Sequence, residues 1–310
     1  MIDPRLLSRL NDKKNRLDTL RPFPAPILGR LREQLDLEWI YNSNAIEGST
    51  LTLQETRLIL EAGVTIGGKS LREHFEVINH REAIDYVETL VDRDEQITPH
   101  HVRQIHQLVL VKIDDDNAGQ YRRTPVRIAV ASHLPPDSWE VPRLMSEWGD
   151  WLAESREKDH PVVTAALAHH HLAAIHPFVD GNGRTARLVM NLVLMKDGYP
   201  PTVIEKIARR SYYRALARAD EGEPDPLVNF VGRAVERSLM LYLEAVTPQT
   251  GPPAKNETWI LLREAAIDTP YSQDYLSLLA RKGRLEARKQ GRNWYTTRKA
   301  VCAYIRSVQG

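Results

Sequence analysis

What this chain lacks narrows the field. It has a single cysteine, Cys302, so it cannot close an internal disulfide, and a reducing cytoplasm suits it. No apolar run approaches the roughly 18 residues that a membrane-spanning helix needs. The opening MIDPRLLSRLNDKKNRL is charged throughout and carries no apolar signal core. HExxH and paired cysteines, the usual marks of zinc, are missing. The run His169-His170-His171 does not replace them, because successive helical residues point about 100° apart and cannot converge on one ion. Net charge is only +1 over 310 residues, which by itself says nothing about partners. A cytoplasmic globular chain with room for two or three domains remains.

What is present is concentrated in His176 to Arg187, HPFVDGNGRTAR. It joins a histidine, a carboxylate, a Gly-Asn-Gly turn and two arginines. Pro177 and the glycines exclude a regular helix there, so the segment reads as a loop, and Arg187 to Met195 reads as a buried helix. Such a loop delivers backbone N–H groups to a helix N-terminus, where unpaired amides and the helix dipole favour phosphate. Gly181 and Gly183 let the backbone approach a ligand. Arg184 and Arg187, three apart, can clamp one anion. Asp180 is placed as Mg²⁺ prefers, one carboxylate beside phosphate oxygens. His176 is the group able to take a proton near neutral pH. The turn is not a Walker loop, since no Gly-Lys-Ser/Thr ends it.

The segment resembles the Fic signature HPFxxGNGRxxR and matches it at every fixed position. The resemblance implies a mainly α-helical fold with a β-hairpin flap, and transfer of AMP from ATP to a Ser, Thr or Tyr hydroxyl of a protein. By that resemblance His176 is the general base and Asp180 holds Mg²⁺. Gly181, Asn182 and Gly183 cradle phosphate oxygens, Arg184 clamps the phosphates and Arg187 takes the γ-phosphate. Phe178 is a core anchor. Gly183 at the second glycine position favours AMP over other transfers.

Upstream, Ser43-Asn-Ala-Ile-Glu47-Gly48 resembles the family's inhibitory motif (S/T)xxxE(G/N) and follows a helical run, Ile27 to Ile40. The likeness implies that Glu47 pairs with Arg187 and withholds it from the γ-phosphate, so that ATP enters in a pose unfit for in-line attack. Restraint is then built into the chain. Tyr212 and Tyr213 match the tyrosines lining the family's adenine pocket, although Asp220 stands where Asn is usual. A carboxylate accepts from the adenine amino group but cannot donate to a ring nitrogen. The β-like run Gly119 to Val130, with Leu134-Pro-Pro136 after it, resembles the flap on which a target docks as an added strand.

Residues 1–95 read as an N-terminal helical region containing the inhibitory helix, 96–246 as the catalytic core, and 247–255 as a linker rich in Pro and Gly. The last part, 256–310, resembles a winged helix-turn-helix: helices at Trp259–Ala266 and Ser272–Lys282, a strand-turn-strand wing at Leu285–Tyr295, and a closing helix. It holds ten Lys and Arg against five Asp and Glu, whereas the rest has 32 against 36. That surplus suits DNA, while a protein-docking or dimer module remains the other reading. The expected function is a self-inhibited protein adenylyltransferase using ATP and Mg²⁺, soluble, with homo-oligomer formation open. Its alternatives are removal of AMP from a modified protein and a DNA-binding regulator whose Fic domain senses nucleotide.

Overall fold

A computed structural model describes residues 1–127, 134–247, 259–267, 269, 271–291 and 293–309. Their contacts divide into two units, Met1–Thr247 and Pro248–Gly310. The first is helical: α1 (Pro4–Thr19), α2 (Ala25–Glu47), α3 (Leu53–Ala62), α4 (Leu71–Val91), α5 (Pro99–Leu110), α6 (Val141–Lys158), α7 (Pro161–Ile175), α8 (Asn182–Lys196), α9 (Arg209–Asp220) and α10 (Asp225–Val246). Among the described residues no helix is long and apolar enough to cross a membrane.

The hub is α8. Its residues Arg184 to Leu194 are all buried, so the helix is enclosed on every side, its apolar side chains in the core and its buried Arg184 and Arg187 met by carboxylates. Helices α2, α4, α5 and α7 pack around it. The N-terminal region is not a separate body, because Leu6, Leu10, Trp39 and Ile46 join the core that holds Phe178 and Leu188. Gly232 on α10 lets α1 lie close, since a Cβ there would stand 3.0 Å from Leu6.

Two expected boundaries move. The inhibitory motif is not a tail after a helix but the last turn of α2, which runs through Glu47 and stops at Gly48 in the left-handed conformation (φ 111°). The signature helix starts at Asn182, five residues earlier than expected, because Gly181 (φ 75°) serves as N-cap and lets Asn182 and Gly183 enter the first turn. The β-like run also departs from expectation. Residues 119–127 form no strand, and 128–133 lie outside the described residues. The Arg122 N–H donates to the carbonyl of Pro177 (2.9 Å) instead of to a hairpin partner.

The second unit has its own core of Leu262, Leu276, Leu279, Leu285, Val301 and Tyr304. It contains β1 (Ile260–Leu261), α11 (Leu262–Ile267), α12 (Gln273–Arg281), β2 (Ala287–Gln290), β3 (Asn293–Thr296) and α13 (Arg298–Gln309). The sheet is antiparallel in the order β1-β3-β2, with Ile260 opposite Thr296 and Gln290 opposite Asn293. The helix expected from Trp259 therefore begins later, at Leu262, because Ile260 and Leu261 pair with β3. Ser272 caps α12 by accepting from the Tyr275 N–H (3.2 Å). The expected linker, 247–255, lies outside the described residues from 248 onward.

Candidate functional site

Helix α8 presents an N-terminus without a side-chain cap, since Gly181 has none to offer. Its first-turn amides are left for an anion. Loop shape is held from several sides. Asn182 Oδ1 accepts from the Phe178 N–H (3.0 Å), and its Nδ2 donates to the Phe178 carbonyl (2.9 Å). Both ends of this buried amide therefore brace the loop. Phe178 is the anchor foreseen, fully buried and stacked on His106 with ring centroids 3.6 Å apart.

His106 was not foreseen. Its Nδ1 accepts from the Gly119 N–H (3.0 Å), so Nε2 carries the proton and donates to the Asp180 carbonyl (2.9 Å). Burial pushes this histidine down to about 4, which keeps it neutral and fixes that tautomer. Nor was Arg122, whose guanidinium donates to the carbonyls of His176 (2.8 Å), Thr124 (3.3 Å) and Pro136. No local pattern marks either residue, because their partners lie far along the chain.

His176 closes α7 in the left-handed region (φ 51°, ψ 58°), a conformation costing about 1–3 kcal/mol that the Arg122 bond helps to hold. Its Nδ1 faces the Ala173 carbonyl (3.2 Å), an acceptor only, so Nδ1 carries the proton and Nε2 is the basic nitrogen. Burial pulls its pKa below the usual value, against the bond to Ala173. The ring is neutral at pH 7, as a base must be.

Arg187 is buried. Nε donates to Ser43 Oγ (3.0 Å), and Nη2 donates to the Ser43 carbonyl (2.9 Å) and to Glu47 Oε1 (2.8 Å). Burial disfavours its charge, but Glu47 and Tyr212 outweigh burial and raise its pKa. A Cβ at Gly183 would fall on Glu47 Oε1, so glycine lets the carboxylate take this position without shifting. Arg184 meets a different carboxylate, Glu76 on α4, at 3.2 Å. The two arginines therefore do not share one anion in this state.

Asp180 contacts Arg72 and lies 3.7 Å from Arg184. Burial opposes its ionisation, yet Arg184, the Gly181 N–H and Arg72 together hold its carboxyl below the ordinary value. Among the described residues no group of three or more acidic or histidine side chains gathers to hold a metal. One ionised, half-exposed carboxylate next to an uncapped helix N-terminus fits Mg²⁺ carried in on phosphates, and does not fit a metal held by protein alone.

The tyrosines split. Tyr212 is buried, and its hydroxyl donates to His169 Nε2 (2.8 Å) while accepting from Arg187. It supports the arginine, and its ring is buried in the core. Tyr213 is half-buried beneath Arg209, whose guanidinium lies 4.8 Å from the ring centre and donates to the Ile46 carbonyl (2.8 Å). Asp220 sits 2.9 Å from His170 Nε2. The three histidines thus act separately: His169 on Tyr212, His170 on Asp220 and His171 against Trp151.

One further spelling is informative. Gly63 to Ser70, GVTIGGKS, has the letters of a phosphate loop. It joins α3 to α4 with no strand before it, Lys69 donates to the Thr50 carbonyl (2.7 Å), and Ser70 caps α4. It is a connection and not a nucleotide cradle.

The fold and site together define a Fic-type protein, a helical body around an anion-binding helix start with a histidine beside it. Residues 96–194 match the model of the Fic/DOC family. "Protein adenylyltransferase Fic" of Nematostella vectensis is 40% identical over 248 residues, covering 79% of this chain and 57% of that protein. Among solved structures, Fic-1 from C. elegans superposes with a TM-score of 0.72 at 34% identity, over 78% of this chain and 72% of that one. A Fic domain containing signaling protein from Bacteroides thetaiotaomicron VPI-5482 gives 0.72 at 30%, over 77% and 96%. The chain belongs to the Fic/DOC family. It spans about half the length of the curated relatives it matches.

Proposed function

We propose that the chain is a protein adenylyltransferase that moves AMP from ATP to a Ser, Thr or Tyr hydroxyl of a target protein, and that Glu47 restrains it. The observation that carries this reading is the Glu47–Arg187 pair (2.8 Å) set against the uncapped start of α8. The α8 amides and Arg184 hold the phosphates, and His176 Nε2 takes the proton as the acceptor oxygen attacks the α-phosphorus and pyrophosphate leaves. Asp180 is the residue that would hold Mg²⁺, which when bound neutralises phosphate charge and favours departure of pyrophosphate. Arg187, engaged by Glu47, is withheld from the γ-phosphate, so ATP settles out of line; a misplacement of about 1 Å can cost ~100-fold. The name of the relatives supports the activity.

The test is label transfer from α-³²P-ATP with Mg²⁺, using wild type, Glu47→Gly and Glu47→Gly/His176→Ala, alone and with lysate. Strong labelling by the single variant only is the expected result; no labelling by any variant sinks the reading. A second reading, removal of AMP from a modified protein, draws on Glu47 being about a third exposed, enough to touch a water in the site. Wild type that strips AMP from a labelled target, and loses this on Glu47→Ala, would favour it. A cytoplasmic location, and a winged-helix role for residues 256–310 in meeting DNA, belong to the same proposal. The basic surplus of that segment and its separate core support the latter.

A further inference from the structure

Four charged side chains alternate at the mouth of the site. The Arg72 Nε donates to Glu76 Oε1 (3.2 Å), and Arg184 Nη1 approaches the same oxygen at 3.2 Å. Arg184 Nη2 lies 3.7 Å from Asp180 Oδ1, and Arg72 Nη2 donates to Asp180 Oδ2, closing the ring. The members are not equal. Arg184 is 3% exposed and packed into the core, whereas the Arg72 side chain is 54% exposed and reaches in from the first turn of α4. Arg72 is therefore the member free to leave.

We propose that Arg72 is an internal cation that occupies the metal-ligating carboxylate of the signature loop and is expelled when Mg²⁺ enters with nucleotide. The inference rests on Asp180 being the Mg²⁺ ligand. A divalent ion on Asp180 would stand a few ångströms from the guanidinium, and like charges at that range repel. Arg72 then keeps its bond to Glu76 through Nε and swings its outer nitrogens away from Asp180. Its stronger claim on Glu76 loosens that carboxylate from Arg184, which turns to the phosphates. Arg72 is in this sense a positioning residue, and Mg²⁺ and Arg72 compete for one acceptor.

Competition is readable in binding alone. The dissociation constant of ADP is measured by calorimetry on the full chain, without metal and with saturating MgCl₂, and the ratio of the two reports how much metal helps nucleotide. Complexation of ADP by Mg²⁺ in solution is common to all variants and cancels. In Arg72→Ala the ratio should rise about 2- to 5-fold over wild type, the range expected for release of an exposed ion pair. Arg72→Lys should stay near wild type, and Asp180→Asn should abolish the metal effect. Thermal melts confirm that each variant is folded, as the exposure of Arg72 leads one to expect. An unchanged or smaller ratio in Arg72→Ala, with Asp180→Asn still abolishing the effect, overturns the role of Arg72. A wild-type ratio in Asp180→Asn overturns the metal assignment itself, and the inference with it.

Discussion

At the scale of single residues, the restraint is a matter of hydrogen bonds to one guanidinium. Ser43 satisfies Arg187 with both its hydroxyl and its carbonyl, so it does as much positioning as Glu47 does blocking. Ser43→Ala leaves a buried, charged N–H without its acceptor, which costs about 1–3 kcal/mol. The variant should melt earlier, and its basal labelling from α-³²P-ATP should exceed wild type yet stay below Glu47→Gly. Labelling equal to wild type would show that Ser43 has no part in the restraint. The Ser43–Glu47 motif is readable in sequence only through its likeness to the family, because 140 residues separate Glu47 from Arg187. The loop bracing by Asn182 was hidden for a related reason: a signature shows which residue is required but not which partners it meets in the fold.

Among elements, the loop between α7 and α8 is fixed by groups that arrive from elsewhere. Arg122 ties the His176 carbonyl to those of Thr124 and Pro136, the two sides of the segment resembling a flap. In a Glu47→Gly background, Arg122→Ala should lower kcat by about 10- to 100-fold through displacement of His176, with KM for ATP little changed. Steady-state labelling checks this, and a rise in KM alone would place Arg122 in nucleotide binding instead. The apolar, helix-forming content of Arg187 to Met195 was plain in sequence, and the structure buries that run in α8. The start of α8 and the strand in 119–127 were misjudged because tertiary partners overrode local preference. Gly181 absorbed the turn alone, and Arg122 gave its N–H to Pro177. His106, Glu76 and Arg209 carry no local mark, since each acts on a partner remote in the chain.

For the whole molecule, two separate cores predict two separable bodies. Residues 1–247 expressed alone should give a helical spectrum and one cooperative melt, because among the described residues no core residue of the first unit comes from beyond 247. A chain that fails to fold would show that the second unit contributes stability. Acid sensitivity is also a property of the whole first unit. Burial holds His106 and His171 down to about 4 and His169 to about 3, whereas the unfolded chain protonates them near 6.5. Between those values the unfolded state binds more protons, so stability rises with pH. The contribution is complete above about 6.5 and is lost as pH falls toward 4, by about 1.4 kcal/mol per pH unit for each histidine. Melting midpoints taken from pH 7 to 5 should fall steeply, and a flat profile would contradict the burial of these rings.

The missing side chain at Gly183 has an evolutionary consequence. Its space is claimed by the Glu47 carboxylate in the restrained state, and it adjoins the amides proposed to hold phosphate in the active one. Any larger residue would oblige the Glu47 carboxylate to shift and would crowd the start of α8. A descendant that had abandoned catalysis but still used the Glu47–Arg187 contact to hold α2 against α8 would keep this glycine. Persistence of the signature glycine in a lineage therefore records selection on architecture as well as on chemistry.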